Sequence, residues 1–256
     1  MPIGQFEKGN LFYEDYGNGV AIVFIHPPGM GRKVFRYQKE LSRKYRVILP
    51  DLSGHGDSAT SQESVTIQGY ADEVLSLIDL LGINKVVLCG YSSGGSIAQE
   101  FGLRYPERTA AMILCGGFAK VQSPVLKYEH LMGMYFVKHY PHTLAKVIAT
   151  AHTFDKSFRH ELITHMLKAD PRTWFTFYQQ SLNFSCLDRL KELRLPLLLI
   201  YGSRDFINQH IRAYKKNVPN YQSVIIQGVS HQVPVKKWKE INRAVVDFLE
   251  ERVIAE

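Results

Sequence analysis

Six short apolar runs, separated by segments of helical period, decide what this chain folds into. They are VAIVFI (20–25), RVILPD (46–51), KVVLCG (85–90), AAMILCGG (110–117), LPLLLIYG (195–202) and SVIIQG (223–228). Near-continuous apolar character over so few residues predicts strands buried on both faces, as in a parallel sheet. Between them, IQGYADEVLSLIDLLG places Tyr70, Val74, Leu77, Ile78 and Leu81 on one helical face, with Gly82 as a stop. VKKWKEINRAVVDFLEERV repeats the pattern with Trp238, Ile241, Val245 and Leu249. Strands alternating with helices predict an α/β protein with a mostly parallel, doubly wound sheet.

The alternation lapses between residues 118 and 190, a long, aromatic-rich and helix-like stretch with no strand pattern. An insertion of that length between two sheet strands reads as a helical lid, not a loop. The expected organisation is a core formed by 1–117 and 191–256, with 118–190 as the lid.

Composition narrows the partners. The net charge is +7, but Lys and Arg are scattered, with no run of five or six and no nucleic-acid-binding module. The excess therefore reads as a solvated basic surface. The N-terminal MPIGQFEKGNLFYEDYG lacks the basic-then-apolar form of a signal peptide, and no apolar run is long enough to span a bilayer. Three cysteines without CxxC spacing give neither a disulfide framework nor a zinc site. A soluble, cytoplasmic protein is expected.

The third run leads into GYSSGG and then into a helical pattern carrying Ile97, Phe101 and Tyr105. Of the adjacent serines, only Ser92 has glycine at both minus two and plus two, Gly90 and Gly94. A side chain turned out sharply between a strand and a helix needs small neighbours at those positions, so G-x-S-x-G in this setting marks Ser92 as a nucleophile. A serine hydroxyl needs a base, and the base needs an orienting carboxylate. Asp205 follows the run LPLLLIYG, and His231 follows SVIIQG. All three fall at the carboxyl ends of predicted strands, where functional groups of open parallel sheets collect.

With these segments in order, the chain resembles the α/β-hydrolase fold superfamily over nearly its whole length. FIHPPG resembles the family's His-Gly loop, DLSGHGDS its Asp-x-x-Gly-x-Gly-x-Ser segment, and GYSSGG, YGSRD and SHQ its nucleophile, acid and base positions. The resemblance implies a lidded serine hydrolase of esterase type with no cofactor. Its substrate would be a small, partly apolar ester, thioester or related acyl compound. Ser92 would attack, His231 would relay the proton, and Asp205 would orient the imidazole. Some members of the fold bind ligands with little turnover, so a sensor or signalling protein is the alternative.

Two backbone N–H groups must meet the developing oxyanion. Ser93, after the nucleophile, is expected to give one. The second position aligns with Pro28, which has no N–H, so Gly29 is the expected donor, with Met30 as the other choice. His26 and His55 are expected to brace their loops. In RTWFTFYQQSLNF, Trp174, Phe177 and Tyr178 are candidates to line the substrate pocket. HELITH (160–165) spaces its histidines five apart, which sends them to different helix faces and excludes the H-E-x-x-H metal motif. Gly54 and Gly56 lack the third glycine of a dinucleotide loop.

Overall fold

The computed structural model describes residues 3–6, 9–60 and 65–254. Its strands are β1 (Ile3–Phe6), β2 (Gly9–Tyr16), β3 (Ala21–Ile25), β4 (Arg46–Pro50), β5 (Val86–Tyr91), β6 (Thr109–Cys115), β7 (Leu197–Gly202) and β8 (Tyr221–Ile226). They form one sheet in the order β1-β2-β4-β3-β5-β6-β7-β8. The β1–β2 and β2–β4 pairs are antiparallel, and every pair from β4–β3 to β7–β8 is parallel.

Alternate residues of each central strand enter two different cores. Val23, Ile25, Leu88, Leu197 and Leu199 pack with Val74, Leu77 and Ile78 of α1 (Ile67–Leu80) and Ile97 and Phe101 of α2 (Gly94–Arg104). Ile22, Phe24, Val87, Cys89, Leu198 and Ile200 face the other way. They meet Val34 and Phe35 of the 3-10 segment Arg32–Arg43, together with residues of the C-terminal helices. Covering both faces is what made the strands read as unbroken apolar runs.

Four helices lie between β6 and β7: α3 (Pro124–His139), α4 (Pro141–His152), α5 (Lys156–Met166) and α6 (Pro171–Asn183). Ser123, Asp155 and Asp170 cap three of them through side-chain oxygens, satisfying amides at the first turn. The two ends of the insertion meet at an antiparallel bridge between Lys120 and Ser185. Cys186 N–H donates to the Ala119 carbonyl at 2.9 Å beside it. The chain then runs through α7 (Ile211–Asn217), α8 (Val233–Lys236) and α9 (Trp238–Leu249).

Three details depart from the sequence reading. The β1–β2 hairpin was not among the expected strands, because β2 carries the adjacent carboxylates Glu14 and Asp15 in its second half. β8, expected to be covered on both faces, is an edge strand whose Ile225 is 39% exposed. The single C-terminal helix expected from residue 235 breaks at Lys237, whose φ of −128 is non-helical.

Candidate active site

β5 ends at Tyr91 and α2 begins at Gly94, so Ser92 and Ser93 turn the chain between them. Ser92, at φ 52, is the only described non-glycine residue with positive φ. That backbone costs about 1–3 kcal/mol and persists only where the surroundings enforce it. Here Ser92 N–H donates to the Cys115 carbonyl at 2.8 Å, and its own carbonyl accepts from Gly95 N–H at 2.9 Å. A Cβ at Gly90 would run into the backbone of Gly94 and Gly95, and one at Gly94 into the carbonyls of Ile25 and His26. Both glycines of the motif are required by the close approach of helix and strands.

Asp205 stands after β7 and is 2% exposed. Its Oδ1 accepts the Ile207 amide at 3.0 Å, capping the following 3-10 turn, and its Oδ2 accepts from His231 Nδ1 at 2.9 Å. His231 lies in the loop between β8 and α8. Its ring rests against Gly116, where a Cβ would meet Cε1 and Nδ1. Burial disfavours the charged ring, but the Asp205 hydrogen bond, the Asp205 charge and the Glu129 charge outweigh it and hold the His231 pKa above its ordinary value. Tyr91 brings the base beside the elbow: its ring lies 5.3 Å from the His231 ring between centroids. Among the described residues, no hydrogen bond joins the Ser92 hydroxyl to His231, a bond that often tightens only when substrate binds.

The loop after β3 carries His26, whose Nδ1 donates to the Pro27 carbonyl at 2.9 Å and whose Nε2 accepts the Leu52 amide at 3.0 Å. Fully enclosed, it has its pKa pushed down to about 4 by burial. It braces the loop as expected, and His55, pushed down to about 3 by burial, does likewise from the Ser53 carbonyl. Met30 N–H is already engaged, donating to the Pro27 carbonyl at 3.3 Å. Among the described residues, the amides of Gly29 and Ser93 have no such partner. Gly29 has φ 78, and a Cβ there would strike the Trp174 indole.

The aromatic residues separate. Trp174 packs against Gly29, and Tyr178 lies over Gly133 and beside His130, with ring centroids 6.0 Å apart. Phe177, expected at a pocket wall, is enclosed between Tyr70 and His55 at 5.1 and 5.8 Å. Its helical position turns it into the core beneath α6. His210, the other histidine near the acid, is buried beside Phe118, and the Asp205 hydrogen bond goes to His231.

Two features were not found from sequence. Glu129 on α3 reaches solvent yet is surrounded by protein. That desolvation raises its pKa; His231 pulls it down, and Asp205 pushes it up again. No motif flags a lone glutamate in an amphipathic helix. The second is a charge cluster across the base of the insertion. Asp51 Oδ1 accepts from Arg32 N–H at 2.7 Å and from His165 Nε2 at 2.9 Å, and its Oδ2 accepts the Asp57 amide at 2.9 Å and pairs with the Arg32 guanidinium. Asp51, Asp57 and His165 bring ligand-type atoms within 4.8 Å of one another, but Arg32 also pairs with Asp57 at 2.8 Å and supplies the cluster's cation. His160, the other histidine of HELITH, is exposed, as the spacing predicted.

A left-handed serine at a strand-to-helix turn, with a carboxylate two parallel strands along holding a histidine after the third, defines the α/β-hydrolase class. The sequence model described as "Alpha/beta hydrolase family" matches residues 22–244, and the chain belongs to that family. It is similar to an uncharacterized protein of Mycobacterium tuberculosis, 33% identical over 118 residues, an alignment covering 45% of this chain and 35% of that protein. It is also 28% identical to the 2-hydroxy-6-oxo-6-phenylhexa-2,4-dienoate hydrolase of Burkholderia cepacia, covering 95% of this chain and 93% of the relative. Among solved structures, a thermophilic esterase from Thermogutta terrifontis superposes with a TM-score of 0.83 at 26% identity, over 96% of this chain and 94% of that one. No helix among the described residues is long and apolar enough to cross a membrane.

Proposed function

We propose that the chain is a serine hydrolase that cleaves a small, partly apolar ester, thioester or related acyl compound through an acyl-enzyme. The observation that carries this is the 2.9 Å bond between His231 Nδ1 and Asp205 Oδ2 at the same end of the sheet as the left-handed Ser92. Because Nδ1–H is committed to Asp205, Nε2 is left free to accept the Ser92 proton. Ser92 Oγ then bonds to the acyl carbon, and the carbonyl electron pair moves onto oxygen. The amides of Ser93 and Gly29 receive that oxyanion, and Gly29 replaces the donor that Pro28 lacks. The imidazolium gives its proton to the leaving group. It next takes one from water, whose attack releases the acid and restores Ser92.

The insertion, within 118–190, acts as the lid, with Trp174 and Tyr178 on its inner side. Similarity over nearly the full length to a hydrolase of Burkholderia cepacia and an esterase of Thermogutta terrifontis supports carbonyl substrates. Three free, buried cysteines fit a cytoplasmic setting. The competing reading, a ligand sensor with little turnover, draws on Pro28, and the unpartnered Gly29 amide removes much of that ground.

A fluorophosphonate probe will label the wild type and not Ser92→Ala, and a panel of short p-nitrophenyl esters will be turned over only by the wild type. Equal labelling of both proteins would remove Ser92 from the chemistry. A wild type that binds acyl ligands without turnover would favour the sensor.

A further inference from the structure

The insertion reaches the nucleophile elbow at two points, and a histidine makes each contact. His130 on α3 and His152 at the end of α4 are 3% and 6% exposed. His130 Nδ1 lies 2.8 Å from the Leu126 carbonyl, and His152 Nδ1 lies 2.7 Å from the Ile148 carbonyl, each four residues earlier in its own helix. A carbonyl can only accept, so both rings carry their proton on Nδ1 and present Nε2 as an acceptor. Burial pushes both pKa values down, that of His152 to about 4, so the rings are neutral near pH 7.

Each of those acceptors is faced by a hydroxyl from a neighbour of Ser92. Tyr91 donates to His152 Nε2 at 2.9 Å. Ser93 Oγ lies 3.4 Å from His130 Nε2, which Ser181 Oγ of α6 also approaches at 3.4 Å. Tyr91 has a second acceptor within reach, the His231 carbonyl at 3.2 Å. Its single proton is therefore shared between a helix of the insertion and the backbone of the base.

We propose that His130 and His152 are positioning residues through which the helical insertion sets the nucleophile elbow and the base. Neither touches the reacting atoms. His152 acts through Tyr91, which precedes the nucleophile and lies against His231. His130 acts through Ser93, whose amide is one of the oxyanion donors. Displacing the insertion withdraws both acceptors at once, so its closed position and the alignment of Ser92 are one event. This inference rests on Ser92 being the nucleophile.

The test compares His152→Leu, His152→Gln, His130→Leu, His130→Gln and Tyr91→Phe with the wild type. The readouts are the fluorophosphonate labelling rate of Ser92, kcat and KM on p-nitrophenyl butyrate, and thermal midpoints by circular dichroism. The Leu variants are expected to lose kcat and labelling rate on the order of tenfold, with KM held within about twofold, and Gln to restore most of the loss at position 152. In a Tyr91→Phe background, His152→Leu should cost nothing further. If a Leu variant fails to fold, Tyr91→Phe alone, which deletes the donor and leaves His152 packed, must still show the kcat loss. A wild type that resists labelling overturns this inference together with the hydrolase reading. A wild type that labels, with Leu variants that label equally fast, lose only in KM, or match Gln at position 152, overturns this inference alone.

Discussion

Asp205 accepts the Nδ1 proton of His231 at 2.9 Å, and that bond leaves Nε2 as the free imidazole nitrogen, the one the proposed mechanism uses. The ring must be neutral to take the serine proton. kcat/KM will therefore rise with pH through the His231 pKa, which lies above its ordinary 6.5. Glu129 helps to hold it there, so Glu129→Gln will move the acidic limb of the profile to lower pH. Asp205→Asn will leave the ring in the wrong tautomer and lower kcat by roughly ten-thousandfold. Profiles of kcat/KM between pH 4 and 9 check both, and an unmoved limb in Glu129→Gln would remove that residue from the electrostatics of the base.

Gly29→Ala is the sharpest probe of the oxyanion loop. The backbone there is left-handed, and a Cβ would strike the Trp174 indole, so the loop must shift and carry its amide with it. Loss of one oxyanion donor costs about 3 kcal/mol, more than a hundredfold in kcat. Met30→Ala keeps its amide on the Pro27 carbonyl and removes only buried side-chain packing next to Gly29, so it should lower stability and change kcat by less than about threefold. Steady-state kinetics on one soluble ester decide between the two, and equal losses in both variants would mean that the loop, not its Gly29 amide, matters.

Why the elbow was legible in sequence and its supports were not follows from the range of the forces involved. Gly90, Ser92 and Gly94 are bound by local backbone sterics, which recur wherever a strand turns sharply into a helix, so spacing alone reveals them. Asp205 and His231 could be paired from sequence because each follows one of two neighbouring parallel strands, whose carboxyl ends lie together. Nothing local distinguishes His130, His152 or Glu129 from ordinary residues of an amphipathic helix. Their roles depend on which helix face meets the elbow, a tertiary fact. Phe177 shows the converse: it looks like its neighbours in the aromatic segment, but the packing of α6 encloses it between Tyr70 and His55, a contact no local pattern announces. Glu14 hid the β2 strand, because a buried carboxylate reads as a loop residue until its partner Arg32 is in view.

The cysteines give a prediction that separates serine from thiol chemistry. Cys89, Cys115 and Cys186 are all free and buried. Burial pushes the Cys89 thiol well up and that of Cys186 to about 12, so neither offers a thiolate near neutral pH. Iodoacetamide should leave the native enzyme at full activity, while the fluorophosphonate abolishes it. Thiol titration should count three reactive groups only after denaturation. Inactivation by iodoacetamide under native conditions would place a cysteine in the site.

The charge cluster that ties α5 to the core should govern acid stability. Glu14 is 1% exposed and Asp51 is fully enclosed, and Arg32 bonds to both. Burial works to raise the Glu14 pKa, but hydrogen bonds from Lys39, Tyr16 and Arg32 hold it at about 2 against an ordinary 4.5. Burial likewise works to raise Asp51, and contacts with His165 and Arg32 hold it well below the carboxylate range. Both groups are more acidic in the folded chain than in the unfolded one. Their stabilisation is therefore fully present above about pH 4.5 and is lost as the pH falls through their folded values. For Glu14 the shift corresponds to about 3 kcal/mol. Urea unfolding should give a stability that already declines below about pH 6.5, where His26, His55 and His152 take up protons only in the unfolded chain, and that steepens below 4.5 as Glu14 and Asp51 titrate. Asp51→Asn should lower stability at pH 7 by about 3 kcal/mol, because it leaves part of a buried cation unpaired, and should flatten the acid decline. A variant that keeps the wild-type slope between pH 4.5 and 2 would show that the decline arises elsewhere.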